Sequence, residues 1–453
     1  MKLIVLELNE VPFRVIDWFA SINSEFSGLL SHSLRFTTLV RSDHILSPWT
    51  TWPTLHTGQT QTQHRIQDLG QELIDYYPLW QQISDHGYSS SVYGSLHSSS
   101  TTNTQDLSFF VPDYFTSRPI TKPLSLQPFA LFQHQLTAAS SRNVSRSLKL
   151  GDLTTLRSLF HHVPPFSILP DIAYQILHES LRRERSSRRR DIQTLINFQV
   201  YLQLLLKYQP HFSTFFVNSV AASMHRFWAA TFPEDFPLNQ YPLTWQKTYR
   251  KEIYFSMTIV QRIITSLHHY CTRNNANLLV LSSMGQSSYQ SVPSTNTWAC
   301  SDIVSFVTHL FPQYVNRLKS EQSMFPIYTI KSDASTIKDL YICLKRLSPS
   351  PSTKFRVRMH SSHMSLSIEI SSLDQEAYLE LDDHKLPLSQ LPFSFLPVSD
   401  SSSTTAYHIP EGSALVFGQE AAAIHKTLTQ GSHRPVFLDK LHSSILQLYP
   451  RRD

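Results

Sequence analysis

The side chains able to do chemistry fall in a few short stretches. Ser47-Pro48-Trp49-Thr50-Thr51-Trp52-Pro53-Thr54-Leu55-His56-Thr57-Gly58 offers hydroxyls and an imidazole, and His64 follows it. The apolar opening run Leu3-Ile4-Val5-Leu6 leads into Glu7, Leu8, Asn9 and Glu10. Phe215-Phe216-Val217 ends in Asn218, with His225-Arg226 a little further on. Leu279-Val280-Leu281 ends in Ser282-Ser283-Met284-Gly285, and Tyr407-His408-Ile409-Pro410-Glu411-Gly412 comes late in the chain. Hydroxyl, carboxylate and imidazole together suit ester hydrolysis. A hydroxyl attacks, an imidazole moves the proton, and carboxylates and imidazoles hold a divalent cation that takes up developing charge.

Such groups must be brought together by elements, and the sequence supplies them. Leu3 to Glu7 is an unbroken apolar run of the kind that makes a buried parallel strand. Val11 to Leu30 repeats apolar residues at helical spacing, and Leu34 to Val40 is a strand rich in β-branched residues. Pro48 starts a helix that Gly58 ends; Pro78 to Gly87 repeats the pattern before a strand over Tyr88 to Gly94. Ser213 to Val217, Leu278 to Leu281 and Ser413 to Phe417 read as further core strands. Trp245 to Tyr270 is the plainest helix, with one apolar stripe, and Leu441 to Leu448 is a terminal helix. This helix–glycine–strand rhythm predicts a doubly wound α/β fold whose strand ends and helix starts carry the chemistry. Phe129 to Tyr208 reads as a helical insertion. Residues 325 to 400, with alternating strands at Lys354 to Arg358 and Met364 to Ile370, read as an α+β insertion bounded by Ser348–Ser352 and Ser399–Ser403. The expected division is 1–120, 211–320 and 404–453 for the α/β core, with insertions at 121–210 and 321–403.

The order of these stretches resembles the alkaline phosphatase superfamily, which includes the nucleotide pyrophosphatase/phosphodiesterases and sulfatases. Leu3 to Glu7 resembles its first strand, Thr57-Gly58 and His64 the end of the nucleophile helix and the histidine after it. Phe215 to Asn218 is similar to the strand before an Asp-x-x-x-His motif, Leu279 to Gly285 to the strand before Asp-His-Gly, and Tyr407 to Gly418 to the terminal histidine segment. The resemblance implies an alkaline phosphatase-like, mostly parallel sheet flanked by helices. It also implies hydrolysis or transfer of phosphoesters or sulfate esters. Departures from the motif are many: Glu7 stands for Asp, Asn218 for Asp, Ala222 for His, and Ser283 and Met284 for Asp-His. Counted back from Thr57-Gly58 without gaps, Pro48 falls on the nucleophile; by residue type Thr51 fits better, if the helix is three residues shorter.

What the resemblance carries over is therefore a retooled, metal-poor site. Thr51 would attack and His225 act as acid or base. Asn218 and Ser283 would bind, and Glu7 and His408 would hold a cation, zinc or manganese, if the site is active. The alternative is a non-catalytic descendant binding an anionic ligand, such as a glycan-linked one, or a protein partner. Each residue also has a plainer reading: Thr51 as a capping hydroxyl, His225 and His56 as buried structural histidines, and Glu7 and Glu10 as loop carboxylates.

Composition narrows the rest. At 453 residues, with 41% hydrophobic and 16% charged side chains, the chain is a folding one and not a disordered one. Its net charge is +5, and the run Arg182, Arg183, Arg185, Arg188, Arg189 and Arg190 against Glu184 accounts for all of it. A globally basic nucleic-acid surface is not expected. The run itself reads as a solvated helix end, or as an anion or membrane-surface patch. Three dispersed cysteines and the lack of a leader or a long apolar run point to a cytoplasmic protein without a membrane span, acting on a small anionic substrate or ligand.

Overall fold

The computed structural model describes all residues except 68–75, 99–103, 116–119, 140–162, 291–295, 322, 324–325, 361–362, 398–403 and 453. Part of the expected helical insertion and the Ser399–Ser403 run therefore lie outside the described residues.

Strand β1, Leu3–Leu8, is buried along its whole length and sits inside an eight-stranded sheet. It pairs in parallel with β5 (Phe212–Val217) on one side and β6 (Asn277–Leu281) on the other. Beyond β5 lie β3 (Ser90–Tyr93) and β4 (Phe110–Val111), also parallel. Beyond β6 lies the Glu411–Phe417 strand, which runs antiparallel to β6 and to β2 (Leu34–Leu39). The short Val436–Phe437 strand closes that side, parallel to β2. The fold is thus a mixed α/β one, with a mostly parallel sheet and helices on both faces, as the sequence rhythm led one to expect.

Alternation along β1 divides the two cores. Ile4, Leu6 and Leu8 join the cluster under the Glu252–Asn274 and Arg189–Tyr208 helices. Leu3 and Val5 join the opposite cluster with Trp52, Leu55 and Trp80. Glu7 follows Leu3 and Val5 by period two, so its carboxylate points to the Trp52 side. Residues 298–393 contribute to a third cluster of their own, built around a four-stranded sheet that includes Ile327–Lys331, Thr353–Met359 and Ser365–Ser372.

Most elements begin and end where the punctuation places them. The key helix is Pro48–Thr57, capped by Ser47, whose Oγ accepts from the Trp49 N–H, and closed by Gly58 at φ 69°. A side chain at Gly58 would be strained by that φ and would press on the His442 ring. The Val11–Leu30 stretch splits into Phe13–Ile22 and Ser24–Leu30. Asn23 leaves the helical region there to cap the second helix through the Phe26 N–H. Trp245–Tyr270 likewise splits into Leu243–Tyr249 and Glu252–Asn274. The arginine run is not a uniformly solvated end. Arg185 and Arg188 are buried, and both converge on the carboxylate of Glu252, with Arg188 Nε at 2.8 Å. No described helix is long and apolar enough to cross a membrane.

Candidate metal centre

Seven strands of the sheet run in one sense, so the carboxyl ends of β1, β5 and β6 open on one edge. The Glu411–Phe417 strand starts at that same edge, because Glu411 pairs with Leu39 at the end of β2. Converging chain ends and unpaired backbone groups make such edges natural sites. Asn9 and Glu10 leave β1 there, Asn218 leaves β5, Ser282 and Ser283 leave β6, and His408 lies just before the reversed strand.

The turn after β1 is clamped from several sides. Asn9 N–H donates to Val217 O at 2.9 Å, and Val11 N–H donates to Ser282 Oγ at 2.7 Å. Ser282 Oγ–H in turn donates to Leu8 O at 2.5 Å. Between these anchors Glu10 takes a left-handed backbone, φ 60°, unusual outside glycine and asparagine. That bend turns the Glu10 carboxylate over the sheet edge instead of along it.

Two imidazoles meet it. His225 Nε2 stands 3.0 Å and His408 Nε2 3.3 Å from Glu10 Oε2. Each ring spends its other nitrogen on a backbone carbonyl: His225 Nδ1 on Ala406 O and His408 Nδ1 on Leu46 O, both at 2.8 Å. A carbonyl only accepts, so each Nδ1 carries a proton; the Nε2 that faces Glu10 is then a second N–H donor in the charged ring and a lone pair in the neutral one. His408 Nε2 is buried without a hydrogen-bond partner. Two lone pairs and a carboxylate pressed together repel unless positive charge lies among them, a proton or a cation.

The geometry suits a cation. The three ligand atoms all lie within 4.8 Å of one another. Bonds of ~2.1 Å in a tetrahedron set ligand atoms about 3.4 Å apart, close to the 3.0 and 3.3 Å between Glu10 Oε2 and the two Nε2 atoms. Two imidazoles and one carboxylate form a donor set that zinc or manganese accepts, with a position left for a substrate. Amides hold the carboxylate: Asn9 Nδ2 donates to Glu10 Oε1 at 2.9 Å, and Gln286 Nε2 donates to Oε2. Asn9 also donates to Asn218 Oδ1 at 2.8 Å and accepts from Trp52 Nε1 at 2.8 Å. Burial pushes the Glu10 carboxyl up, but the charges of His408 and His225 outweigh it and hold the group well below its usual range. Burial pulls His408 down, and the Glu10 charge more than restores it, so its net shift is upward. The cluster meets solvent mainly at His225, whose side chain is 25% exposed against 10% for His408 and 3% for Glu10.

The residues singled out from the sequence lie on this edge in separate parts. His408 and His225 are in the cluster, and Asn218 touches it through Asn9. Thr51 and Ser283 pair with each other, Oγ to Oγ at 2.9 Å, and both are fully buried. The helix begins at Pro48, so Thr51 is its fourth residue, and its N–H is already bonded to Ser47 O. Glu7 lies apart: its Oε1 is 2.8 Å from His56 Nε2, and Tyr76 OH is 3.3 Å from the other nitrogen of that ring. His64 shares a hydrogen with Thr54 Oγ1 at 3.0 Å, and burial lowers it to about 4, so it stays neutral.

Asn9, Trp52 and Gln286 were not singled out by sequence reasoning, and Glu10 was weighed only as a loop carboxylate. One signal was available for His225. Asn218, Ala222 and His225 are spaced by four and three residues, hence on one face of the Ser219–Thr231 helix. An imidazole missing at Ala222 is thus supplied one turn later.

No family model matches the chain, and no curated protein matches it. Solved structures do match over the whole length. Murine ectonucleotide pyrophosphatase/phosphodiesterase 5 aligns with all of this chain and 96% of its own, at 10% identity and a TM-score of 0.42. A cold-active alkaline phosphatase from the psychrophile Shewanella sp. covers 99% of this chain and 100% of its own, at 10% identity and a TM-score of 0.38. Phosphonoacetate hydrolase from Sinorhizobium meliloti 1021, in complex with phosphonoformate, covers 98% and 95%, at 9% identity and a TM-score of 0.40. At such identities and scores they carry no chemistry across to this chain, which has to be read from its own side chains.

Proposed function

We propose that this chain is a metal-dependent hydrolase of phosphoesters or sulfate esters that works with one divalent cation held by Glu10, His225 and His408. The observation that carries the reading is the pair of Nε2 atoms converging on a buried carboxylate, each ring fixed by a carbonyl on its far nitrogen, so that one cation can take the place of the protons between them. When bound, the cation supplies Lewis-acid polarisation of a phosphoryl or sulfuryl oxygen. In this reading Glu10 takes the metal-binding role first given to Glu7, and His225 is a ligand and not an acid or base. Asn9 and Gln286 fix the Glu10 carboxylate, and Trp52 fixes Asn9. Asn218 lies at the mouth of the same edge, where its amide can orient an anionic substrate. Thr51 stays the candidate nucleophile: it adjoins Trp52, and its hydroxyl already shares a proton with Ser283.

A second reading keeps the cation and the anionic ligand but no turnover. It is favoured by the full burial of Thr51 and Ser283 and by the apolar Pro48, Ala222 and Met284 at positions where the motif has reactive groups. One experiment separates the two. The purified protein is titrated with zinc and with manganese, and assayed on generic phosphomonoester, phosphodiester and sulfate-ester substrates, beside His408→Ala and Thr51→Ala. The hydrolase reading expects close to one cation per chain, lost in His408→Ala, and turnover lost in Thr51→Ala with the cation kept. Metal retained without turnover on any ester selects the second reading. No metal bound by the parent protein overturns both.

A further inference from the structure

The Leu169–Leu181 helix is inside out. Its acidic and amide side chains face the protein and are engaged there, while Ser180 is exposed and returns its hydroxyl to Leu177 O at 2.8 Å. Asp171 pairs with Arg262 through two contacts, at 2.8 and 2.9 Å. Gln175 is buried and donates to Arg185 O at 2.8 Å, and Glu179 accepts from Arg189 Nε at 2.8 Å. The opposite face is apolar and open to solvent. Leu169, Tyr174, Ile176, Leu177 and Leu181 line it, with Phe166 just before the helix; Ile176, Leu177 and Leu181 are 62%, 59% and 73% exposed. At helical geometry these residues fall within less than half of the circumference, over a length of about 20 Å. Scattered exposed leucines need no explanation; an apolar face along a whole helix, interrupted by Ser180, with its carboxylates turned to arginines beneath, does.

Charge says what covers it. Arg182 and Arg183 follow Leu181 directly, both are exposed, and no described carboxylate is in ion-pair contact with either. Asp171 and Glu179, the acidic residues of the helix, are both engaged with arginines beneath it. The open face therefore offers hydrocarbon, an aromatic edge and positive charge, with the half-buried carboxylate of Glu184 directly after Arg183. A protein partner would need an apolar groove with carboxylates set at one end of it; an anionic lipid surface presents hydrocarbon and negative charge together along its whole extent.

We infer that the Leu169–Leu181 helix docks this protein, lying flat, on a membrane surface rich in anionic lipid. The apolar face enters the headgroup–acyl boundary, while Arg182 and Arg183 meet lipid phosphates and carboxylates. This does not depend on the metal site or on any turnover.

The test is co-sedimentation of the full chain with phosphatidylcholine vesicles, with and without phosphatidylserine, at low and high salt. The parent should sediment with the serine-containing vesicles and be released by salt. Replacing Arg182 and Arg183 with glutamine should weaken binding by about fivefold for each arginine. Leu177→Glu, at an exposed position that leaves the fold intact, should weaken it by tenfold or more; circular dichroism checks the fold. No sedimentation of the parent, or binding indifferent to Leu177→Glu, overturns the inference. So does a concentration-dependent dimer in analytical ultracentrifugation that Leu177→Glu abolishes, since the face would then seat a second copy.

Discussion

Asp191 offers the sharpest quantitative check on how the helix bearing His225 is held. It lies in the first turn of the Arg189–Tyr208 helix and is 2% exposed. One carboxylate oxygen accepts from Ser256 Oγ at 3.0 Å; Ser256 Oγ lies 2.7 Å from Ser223 Oγ, on the Ser219–Thr231 helix. The other oxygen is buried without a hydrogen-bond partner. Burial is the largest influence and raises the group from 3.8 to about 7; Ser256, Ser219 and Arg190 pull against it, and Glu252 adds to it. The sign follows from which state holds the proton. Between the unfolded value and the folded one, the unfolded chain has released it and the folded chain has not. Stability is therefore full below the unfolded value, falls as pH rises, and levels off above about 7. Roughly three pH units at 1.36 kcal/mol each come to about 4 kcal/mol. Asp191→Asn has nothing to titrate. Its stability relative to the parent should grow by about 4 kcal/mol between pH ~4 and pH ~8, other groups cancelling in the comparison. Urea unfolding midpoints at a series of pH values measure this. A difference between variant and parent that stays constant across the range would refute the reasoning.

Two further substitutions probe the edge itself. Trp52→Phe removes the donor to Asn9 Oδ1 and leaves that buried oxygen unpaired, at a cost of about 1–3 kcal/mol. Since Asn9 fixes Glu10, zinc affinity should drop by ~10- to 100-fold, measured by competition with a chromophoric chelator; unchanged affinity would separate Asn9 from the metal. At Gly412 an added Cβ would run into Thr38 Oγ1 and the Ser282 carbonyl, so Gly412→Ala must shift the reversed strand. A loss of about 1–3 kcal/mol by urea unfolding is expected, and a neutral result would mean that the strand can move.

The elements of the edge were legible because local signals agree with the fold. Apart from Glu7, Leu3–Leu8 is apolar on both faces because helices cover both, and Pro48 and Gly58 mark a helix by backbone chemistry alone. The breaks at Asn23 and Arg250–Lys251 were missed because the apolar stripe continues across them while the backbone does not. The exact ligands were harder to read. Glu7 and Glu10 are equivalent as letters. What separates them is strand phase, which buries Glu7 against His56, and a left-handed residue, which swings Glu10 out. Buried Arg185 and Arg188 were illegible for another reason: their partner, Glu252, is more than sixty residues away in the chain.

The replaced motif positions also gain a physical meaning once the contacts are known. Asn218 cannot repel Glu10 as an aspartate there would; its amide oxygen instead accepts from the same Asn9 group that donates to Glu10. Ser282, one residue before the Ser283-Met284 pair, ties β6 to the turn after β1, and so sets the Glu10 backbone. A second cation would need further carboxylates or imidazoles near Ser283 and Met284, and among the described residues no second group of three such side chains stands close enough together. The edge therefore concentrates its binding capacity at one point, where one buried carboxylate faces two imidazoles. A single divalent ion leaves that group with a net positive charge, which is the sign an anionic ester requires.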